Sequence, residues 1–189
     1  MDRIFEAFLK RQLQEGTALA ESSDLLDLLP VQDRLLQPFV EGDSPTDPED
    51  AAVSRYIARF CCKGLVREGG GAVIEADRFD VGIWFPSDYL RRVVPFQVLT
   101  WMGPRNVYHP NISDQAPFIC VGHLAPGTPL VDILYQCFEI ITFNKVTMRE
   151  DDALNKDACA WARHNQHRFP IDSRPLKRRT LAIRVEAIE

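Results

Sequence analysis

The chain has 189 residues, enough for one well-buried domain with extensions or for two very small domains. Its net charge of -5 gives no overall basic field for nucleic acid or for an acidic membrane surface. No apolar run approaches the roughly 20 residues that span a bilayer, and the first residues carry acids where a signal peptide has a basic region. We therefore expect a cytoplasmic protein with neither nucleic-acid nor membrane partners.

The cysteine pattern indicates reduced thiols. The chain has five cysteines, an odd number, and they lack both the CxxC spacing of metal sites and the density of a disulfide scaffold. The pattern gives no sign of a cysteine metal site, and the question becomes which thiol is reactive. The five are Cys61, Cys62, Cys120, Cys137 and Cys159.

The N-terminal part differs in charge from the rest. Residues 1–53 hold twelve acidic and four basic side chains, a net of -8, so the remainder sums to about +3. Apolar spacing predicts a helix over residues 4–13 and a second helical stretch from Asp24 through Leu29, after which Pro30 either ends that helix or begins another through Val40. We interpret residues 1–53 as a helical, acidic extension that ends in a linker.

From about residue 55 the pattern becomes extended and then helical again. Strands are predicted at residues 59–66, 78–85 and 96–101, with a turn at Glu68-Gly69-Gly70-Gly71. Residues 102–129 lack regular signals, and an irregular stretch of this length is usually functional. Helices are predicted from Leu130 to Thr142 and from about Asp151 to before Pro170. This order is typical of an α+β fold with an antiparallel meander.

Two short motifs in the irregular stretch carry a family resemblance. They are Tyr108-His109-Pro110-Asn111-Ile112 and Phe118-Ile119-Cys120-Val121. His-Pro-Asn-Ile followed about ten residues later by Ile-Cys resembles the active-site region of ubiquitin-conjugating enzymes. The corner Phe85-Pro86-Ser87-Asp88-Tyr89 and the acidic segment from Asp151 to Ala158 resemble that family in the same order. The resemblance implies a ubiquitin-conjugating-type domain over residues 54–172, followed by a basic C-terminal tail at 173–189.

The resemblance also implies roles for individual residues. Cys120 would accept a ubiquitin-like protein from an activating enzyme as a thioester and pass it to a lysine amine of a target protein. Asn111 would donate a hydrogen bond to the developing oxyanion, or hold the loop through backbone groups, or both. Asp152, with Asp151 as its neighbour, would orient the amine, although both also suit a helix N-terminus. Tyr108, His109 and Pro110 would be structural.

Some positions depart from the family pattern. Leu90 stands where the family has a proline, the segment after Cys120 is short, and residues 1–53 are acidic where eukaryotic members tend to be basic. These features resemble bacterial relatives that are encoded beside a ubiquitin-like protein and an activating enzyme, some of them in antiphage operons.

Two other functions stay open from the sequence. One is a non-catalytic variant that binds a ubiquitin-like protein or scaffolds an assembly. The other is a cysteine hydrolase that uses Cys120 with His109 as its base. The remaining cysteines are predicted to be structural: Cys137 and Cys159 on apolar helix faces, and one of Cys61 and Cys62 facing the core. For the basic tail, a terminal strand, a docking segment and a solvated segment are all compatible with the pattern.

Overall fold

The computed structural model describes residues 2–31 and 52–178, which form an α+β fold with an N-terminal helix and an antiparallel sheet. The described chain runs in the order α1 (Arg3–Glu21), β1 (Leu26–Val31), β2 (Arg55–Phe60), β3 (Gly64–Arg67), β4 (Val73–Ala76), β5 (Phe79–Trp84), α2 (Pro95–Val98), β6 (Leu99–Gly103), α3 (Leu130–Ile141) and α4 (Lys156–His164). Short 3-10 turns lie at Glu150–Asp152 and Gln166–Arg168.

Four strands form the main sheet in the order β1-β2-β5-β6, each antiparallel to its neighbour. The hairpin of β3 and β4 is inserted between β2 and β5. The period-two prediction for β5 is confirmed, since Phe79, Val81 and Ile83 are buried while the residues between them are more accessible. The turn predicted at residues 68–71 is also confirmed, closed by the Glu68 amide, which donates to the Ala72 carbonyl.

The helix predicted from Asp24 is wrong. Residues 26–31 form β1, which pairs with β2 in a register that places Leu26 opposite Phe60 and Pro30 opposite Tyr56. Sheet pairing and the burial of Leu26 outweigh the local helical pattern of this leucine-rich segment. The helix expected to follow Pro30 through Val40, and the linker at 41–50, lie outside the described residues.

Three other boundaries differ from the prediction. The strand expected at residues 59–66 is two strands, because the chain turns at residues 61–63. The segment from Pro95 to Val98 is one helical turn, and its strand starts at Leu99. The helix expected from Asp151 starts at Lys156, because Asn155 caps it by accepting from the Ala158 amide at 2.9 Å.

Helix α1 is longer than the predicted 4–13 segment and is part of the common core. Phe5, Leu9 and Leu19 are buried in the same cluster as the sheet and α3. The buried Gln12 accepts from the Leu130 amide at 2.7 Å, which satisfies one of the free N–H groups at the start of α3. The described part of the predicted extension is therefore integrated into the fold.

The predicted corner after β5 and the predicted helix at 130–142 are both present. The fully buried Tyr89 donates its hydroxyl to the Thr128 carbonyl at 2.9 Å, and burial raises the pKa of Tyr89 to about 12. This bond fixes the residues that lead into α3, which runs from Leu130 to Ile141 with one face in the core.

The first residues of the predicted tail also contact the domain. Asp172 accepts from the Arg174 guanidinium at 2.6 Å, and this partner lowers the pKa of the carboxyl group to about 2. Leu176 is buried, and Arg178 pairs with Asp24 while its amide donates to the Ser22 carbonyl at 3.0 Å. Residues 179–189 lie outside the described chain, so the expectation for them stays a prediction.

A glycine at the start of β3 is required by close packing. A Cβ atom at Gly64 would lie 2.5 Å from Cζ of the buried Phe79 and 3.0 Å from the Ile141 carbonyl oxygen. We expect Gly64→Ala to lower the free energy of unfolding by about 1–3 kcal/mol through overpacking, measured by urea denaturation. Gly69→Ala is the matched control, because a Cβ there meets nothing within 4 Å. Equal stability of the two variants would contradict the packing argument.

Candidate active site

The described chain between Gly103 and Leu130 has no helix or strand, as the sequence predicts, and two isolated bridges help to hold it. The first bridge ties the segment to the β3–β4 hairpin. The Tyr108 amide donates to the Leu65 carbonyl at 2.9 Å, and the Arg67 amide donates to the Asn106 carbonyl at 2.8 Å. The residues that precede His109 are thereby fixed to the sheet side of the fold.

The second bridge brings the two sequence motifs together. Ile112 pairs with Ile119, and the Cys120 amide donates to the Asn111 carbonyl at 2.8 Å. Ser113 closes the turn by accepting from the amides of Gln115 and Ala116 through its hydroxyl. The spacing of about ten residues between the motifs is therefore that of a small hairpin, which places Asn111 directly opposite Cys120.

The Asn111 side chain is buried and fully engaged. Its Nδ2 donates to the Thr147 hydroxyl at 2.9 Å and to the Cys120 carbonyl at 3.3 Å, while its Oδ1 accepts from the Thr147 amide at 2.8 Å. Both amide hydrogens are thus committed to fixed acceptors. This arrangement supports the loop-holding role, and a donor role toward an oxyanion requires one of the two bonds to open.

Cys120 differs from most of the other cysteines in exposure. Its side chain is partly accessible, as is that of Cys61, whereas Cys62, Cys137 and Cys159 are buried. Burial raises the pKa of Cys137 to about 12 and raises that of Cys62 as well, so neither is a thiolate near neutral pH. The prediction that Cys137 and Cys159 belong to the core is confirmed, and so is the inward orientation of one member of the 61–62 pair.

Two residues that the sequence did not single out complete the surroundings of Cys120. Thr147 is the partner of Asn111, 36 residues away along the chain. Lys145 donates to the Val121 carbonyl at 2.8 Å, and a Cβ atom at Gly122 would lie 3.4 Å from its Nζ. An ammonium group is therefore held one residue past the cysteine. Neither residue belongs to a recognisable motif, so only the fold brings them here.

His109 is buried and neutral. Its Nδ1 accepts from the Asn111 amide at 3.0 Å, and its Nε2 has no hydrogen-bond partner among the described residues. Burial lowers the pKa of His109 to about 3, and the ring lies edge-on to Phe143 with centroids 4.2 Å apart. A histidine in this state does not meet the requirements of a general base for Cys120, which disfavours the cysteine-hydrolase hypothesis.

The acidic segment is joined to the His-Pro-Asn loop through the backbone. The amides of Leu154 and Asn155 donate to the Pro110 carbonyl at 2.9 and 3.2 Å. Asp152 lies just before this contact, is exposed, and forms a surface ion pair with Arg149 at 3.4 Å; Asp151 is also exposed. The acidic segment therefore lies beside the His-Pro-Asn loop, as expected. The Asp152 carboxylate faces Arg149 and solvent.

The remaining predicted residue, Tyr108, lies on the other side of the loop. It is nearly buried and packs edge-on against Trp161 of α4, with ring centroids 5.9 Å apart. The Arg67 guanidinium lies over its ring at 5.3 Å. Tyr108 thus connects the loop to α4 and to the β3–β4 hairpin.

The chain matches no protein-family model, and no curated protein matches it at a significant level. Within residues 2–31 and 52–178, no cluster of three or more histidine, cysteine and carboxylate side chains is arranged to hold a metal ion. No helix in the described ranges is long and apolar enough to cross a membrane.

The low pKa of His109 predicts a specific pH dependence of stability. Between pH 6.5 and about 3 the unfolded chain binds a proton at this histidine that the folded chain does not bind. The free energy of unfolding should therefore fall as pH falls, by up to about 1.4 kcal/mol per pH unit. We expect His109→Gln to flatten this slope, measured by urea denaturation from pH 7 to pH 4.5. The exposed His123→Gln is the control, and an unchanged slope in His109→Gln would contradict the assignment.

Proposed function

We propose that this chain is a ubiquitin-conjugating-type enzyme that carries a ubiquitin-like protein as a thioester on Cys120. The observation that carries the proposal is the pairing of Asn111 with Cys120, in which both backbone groups of the cysteine are held by Asn111 while the residue is only partly buried. A fixed backbone on a partly buried residue suits a cysteine that must be both positioned and reachable. The resemblance of the His-Pro-Asn and Ile-Cys motifs to that family is the reason for proposing thioester transfer as the reaction.

The architecture is compatible with the ubiquitin-conjugating fold. In the described residues, the N-terminal helix α1 precedes a four-stranded antiparallel sheet of order β1-β2-β5-β6, and α3 follows the cysteine loop. In this proposal, residues 54–172 form the conjugating domain, and α1 and β1 complete its core.

The reaction consists of two acyl transfers. The Cys120 thiolate attacks the thioester carbonyl carbon on the activating enzyme, and the cysteine of that enzyme leaves as a thiolate. A target lysine amine then attacks the new carbonyl, the carbon–sulfur bond breaks, and Cys120 leaves as a thiolate while the amine loses its proton. Each transfer exchanges one acyl bond for another, so this chain requires no cofactor. The activating enzyme consumes the ATP.

Two side chains are proposed to assist the second transfer. Asn111 stabilises the oxyanion by redirecting the hydrogen that now binds the Cys120 carbonyl at 3.3 Å, the longer of its two donor bonds. Asp152 orients the incoming amine, which its exposed position permits.

The partners in this proposal are an activating enzyme, a ubiquitin-like protein and a protein with an acceptor lysine. The proposal also places the chain in a bacterial, antiphage-type operon.

We expect an ATP-dependent adduct on Cys120 that reductant removes. The purified protein is mixed with the activating enzyme and the ubiquitin-like protein encoded beside it, and the products are separated on non-reducing and reducing gels. Cys120→Ala should lose the adduct completely because the acyl acceptor is gone. Cys61→Ala is the matched control, because Cys61 is the other partly accessible thiol, and it should charge like the wild type.

A different outcome would favour a binding module. The full engagement of the Asn111 amide is the structural observation that suits a non-catalytic variant, since such a side chain needs only to hold the loop. No adduct on the wild-type chain, with an activating enzyme that charges itself, would overturn the carrier role. Binding of the uncharged ubiquitin-like protein in the same preparation would then support the scaffold function.

The role of Asn111 can be separated from loop stability. With the thioester already formed, discharge to free lysine should slow by about a hundredfold to a thousandfold in Asn111→Ala, because an oxyanion donor is lost. Thr147→Val removes one acceptor of the same amide but leaves Asn111 in place. We expect it to lower the melting temperature while discharge stays within a few-fold of the wild type. Equal slowing in both variants would show that Asn111 acts only by holding the loop.

A further inference from the structure

A pocket of about 330 Å³ lies on the Tyr108 side of the loop, away from the residues assigned to thioester chemistry. It is lined by the turn of the β3–β4 hairpin at residues 71–73, by Tyr108 and Trp161, and by Arg67 and Arg168. None of Cys120, Asn111 and Asp152 lines it. A ligand of this pocket would therefore be separate from the proposed acyl transfer.

Both arginines of the pocket are oriented by aromatic rings. The Arg67 guanidinium lies 5.3 Å from the centre of the Tyr108 ring, and that of Arg168 lies 5.4 Å from the centre of the Trp161 ring. Arg168 is fixed further by donating to the Val73 carbonyl at 3.0 Å. Stacking restrains a guanidinium group before any ligand arrives, which reduces the entropy lost when its N–H groups bind an oxyanion.

The positive charge of the pocket is only weakly compensated. Arg67 pairs with Asp157 at 3.9 Å, and the Asp157 side chain is 81% exposed. A pair this long and this exposed contributes little binding energy and opens readily. The two guanidinium groups therefore form a local positive site on a chain of net charge -5.

The hairpin turn leaves room beside Arg67. Gly71 has a φ of +84°, a conformation that favours glycine, and a Cβ atom there would lie 3.9 Å from Arg67 Nη2. The turn thus approaches the guanidinium group with backbone alone. A ligand can contact the arginine without meeting a side chain at this position.

We propose that this pocket binds the phosphate group of a small phosphorylated molecule with a flat ring, of the class of nucleoside monophosphates. Two guanidinium groups match the double charge of a phosphate monoester, and each can donate two parallel hydrogen bonds to it. A flat ring can stack on the guanidinium planes or the aromatic walls, as bases do in nucleic-acid-binding proteins. The volume lies at the small end of ligand pockets, which suits a mononucleotide.

The test uses the full chain labelled with ¹⁵N, in which the three tryptophan indoles can be followed separately. Adenosine monophosphate, inorganic phosphate and adenosine are each titrated at low salt. We expect the monophosphate to shift the Trp161 indole resonance and the arginine Nε resonances, with the tryptophans outside the pocket unmoved. Inorganic phosphate should produce the same arginine shifts with weaker binding, and adenosine should produce none.

Variants link the signal to the pocket. Arg67→Gln and Arg168→Gln should each weaken monophosphate binding by about tenfold or more, because a charge-assisted hydrogen bond is lost. Both side chains are exposed, so the fold should be retained, and the exposed Arg92→Gln is the control with unchanged binding. Equal affinity for inorganic phosphate and the monophosphate would overturn the role of the ring and assign the pocket to free phosphate.

Three results would overturn the proposal as a whole: no Trp161 shift at millimolar monophosphate, equal binding of adenosine, or affinity unchanged in both arginine variants. These results are independent of the thioester assay, because none of the pocket residues is assigned to acyl transfer. Loss of the Cys120 adduct would leave the binding test unaffected.

Discussion

The irregular part of the fold depends on the side-chain amide of Asn111. A stretch from residue 104 to 129 has no helix or strand ladder to satisfy its backbone groups, so it must find other hydrogen-bond partners. Asn111 supplies several of them, because its side chain binds Cys120 on one side and Thr147 on the other while its own backbone binds His109 and Cys120. Asn111 therefore holds both backbone groups of Cys120 within the small hairpin.

The arrangement also explains why an ionisable histidine stands beside the asparagine without titrating near neutral pH. His109 provides one acceptor, Nδ1, for the Asn111 amide, and its other nitrogen points into the protein interior. A buried group that is needed only as an acceptor is most favourable when it stays neutral. The histidine and the asparagine therefore act as structural partners, whatever chemistry Cys120 performs.

Sequence patterns predicted the elements that have strong local signals. The alternation in β5 and the apolar face of α3 were correctly predicted because each is defined by its own residues and a nearby core. β1 was predicted as a helix because four closely spaced leucines and a following proline suit a helix that ends at Pro30. As β1 is an edge strand of the sheet, it tolerates a proline, and only its pairing with β2 determines that it is a strand.

In the candidate site, features within a sequence motif were predicted, whereas contacts between residues far apart in the chain were not. The resemblance of the two motifs to ubiquitin-conjugating enzymes predicted one site for Asn111 and Cys120, but the acceptor Thr147 is 36 residues further along and carries no motif. The burial of cysteines was predicted from helical periodicity at Cys137 and Cys159, and from strand alternation for one of Cys61 and Cys62. The aromatic support of Arg67 and Arg168 brings together a hairpin and the end of α4, which no local pattern connects.

The bond between Gln12 and the Leu130 amide couples the N-terminal helix to the far end of the cysteine loop. Tyr89 donates to the carbonyl of Thr128, which lies two residues before α3 begins. The start of α3 is therefore held by hydrogen bonds to both Gln12 and Tyr89. A protein that docks on α1 and tilts it would pull on the first turn of α3, about ten residues after Cys120. The first helix is therefore connected by a direct hydrogen bond to the end of the segment that carries Cys120.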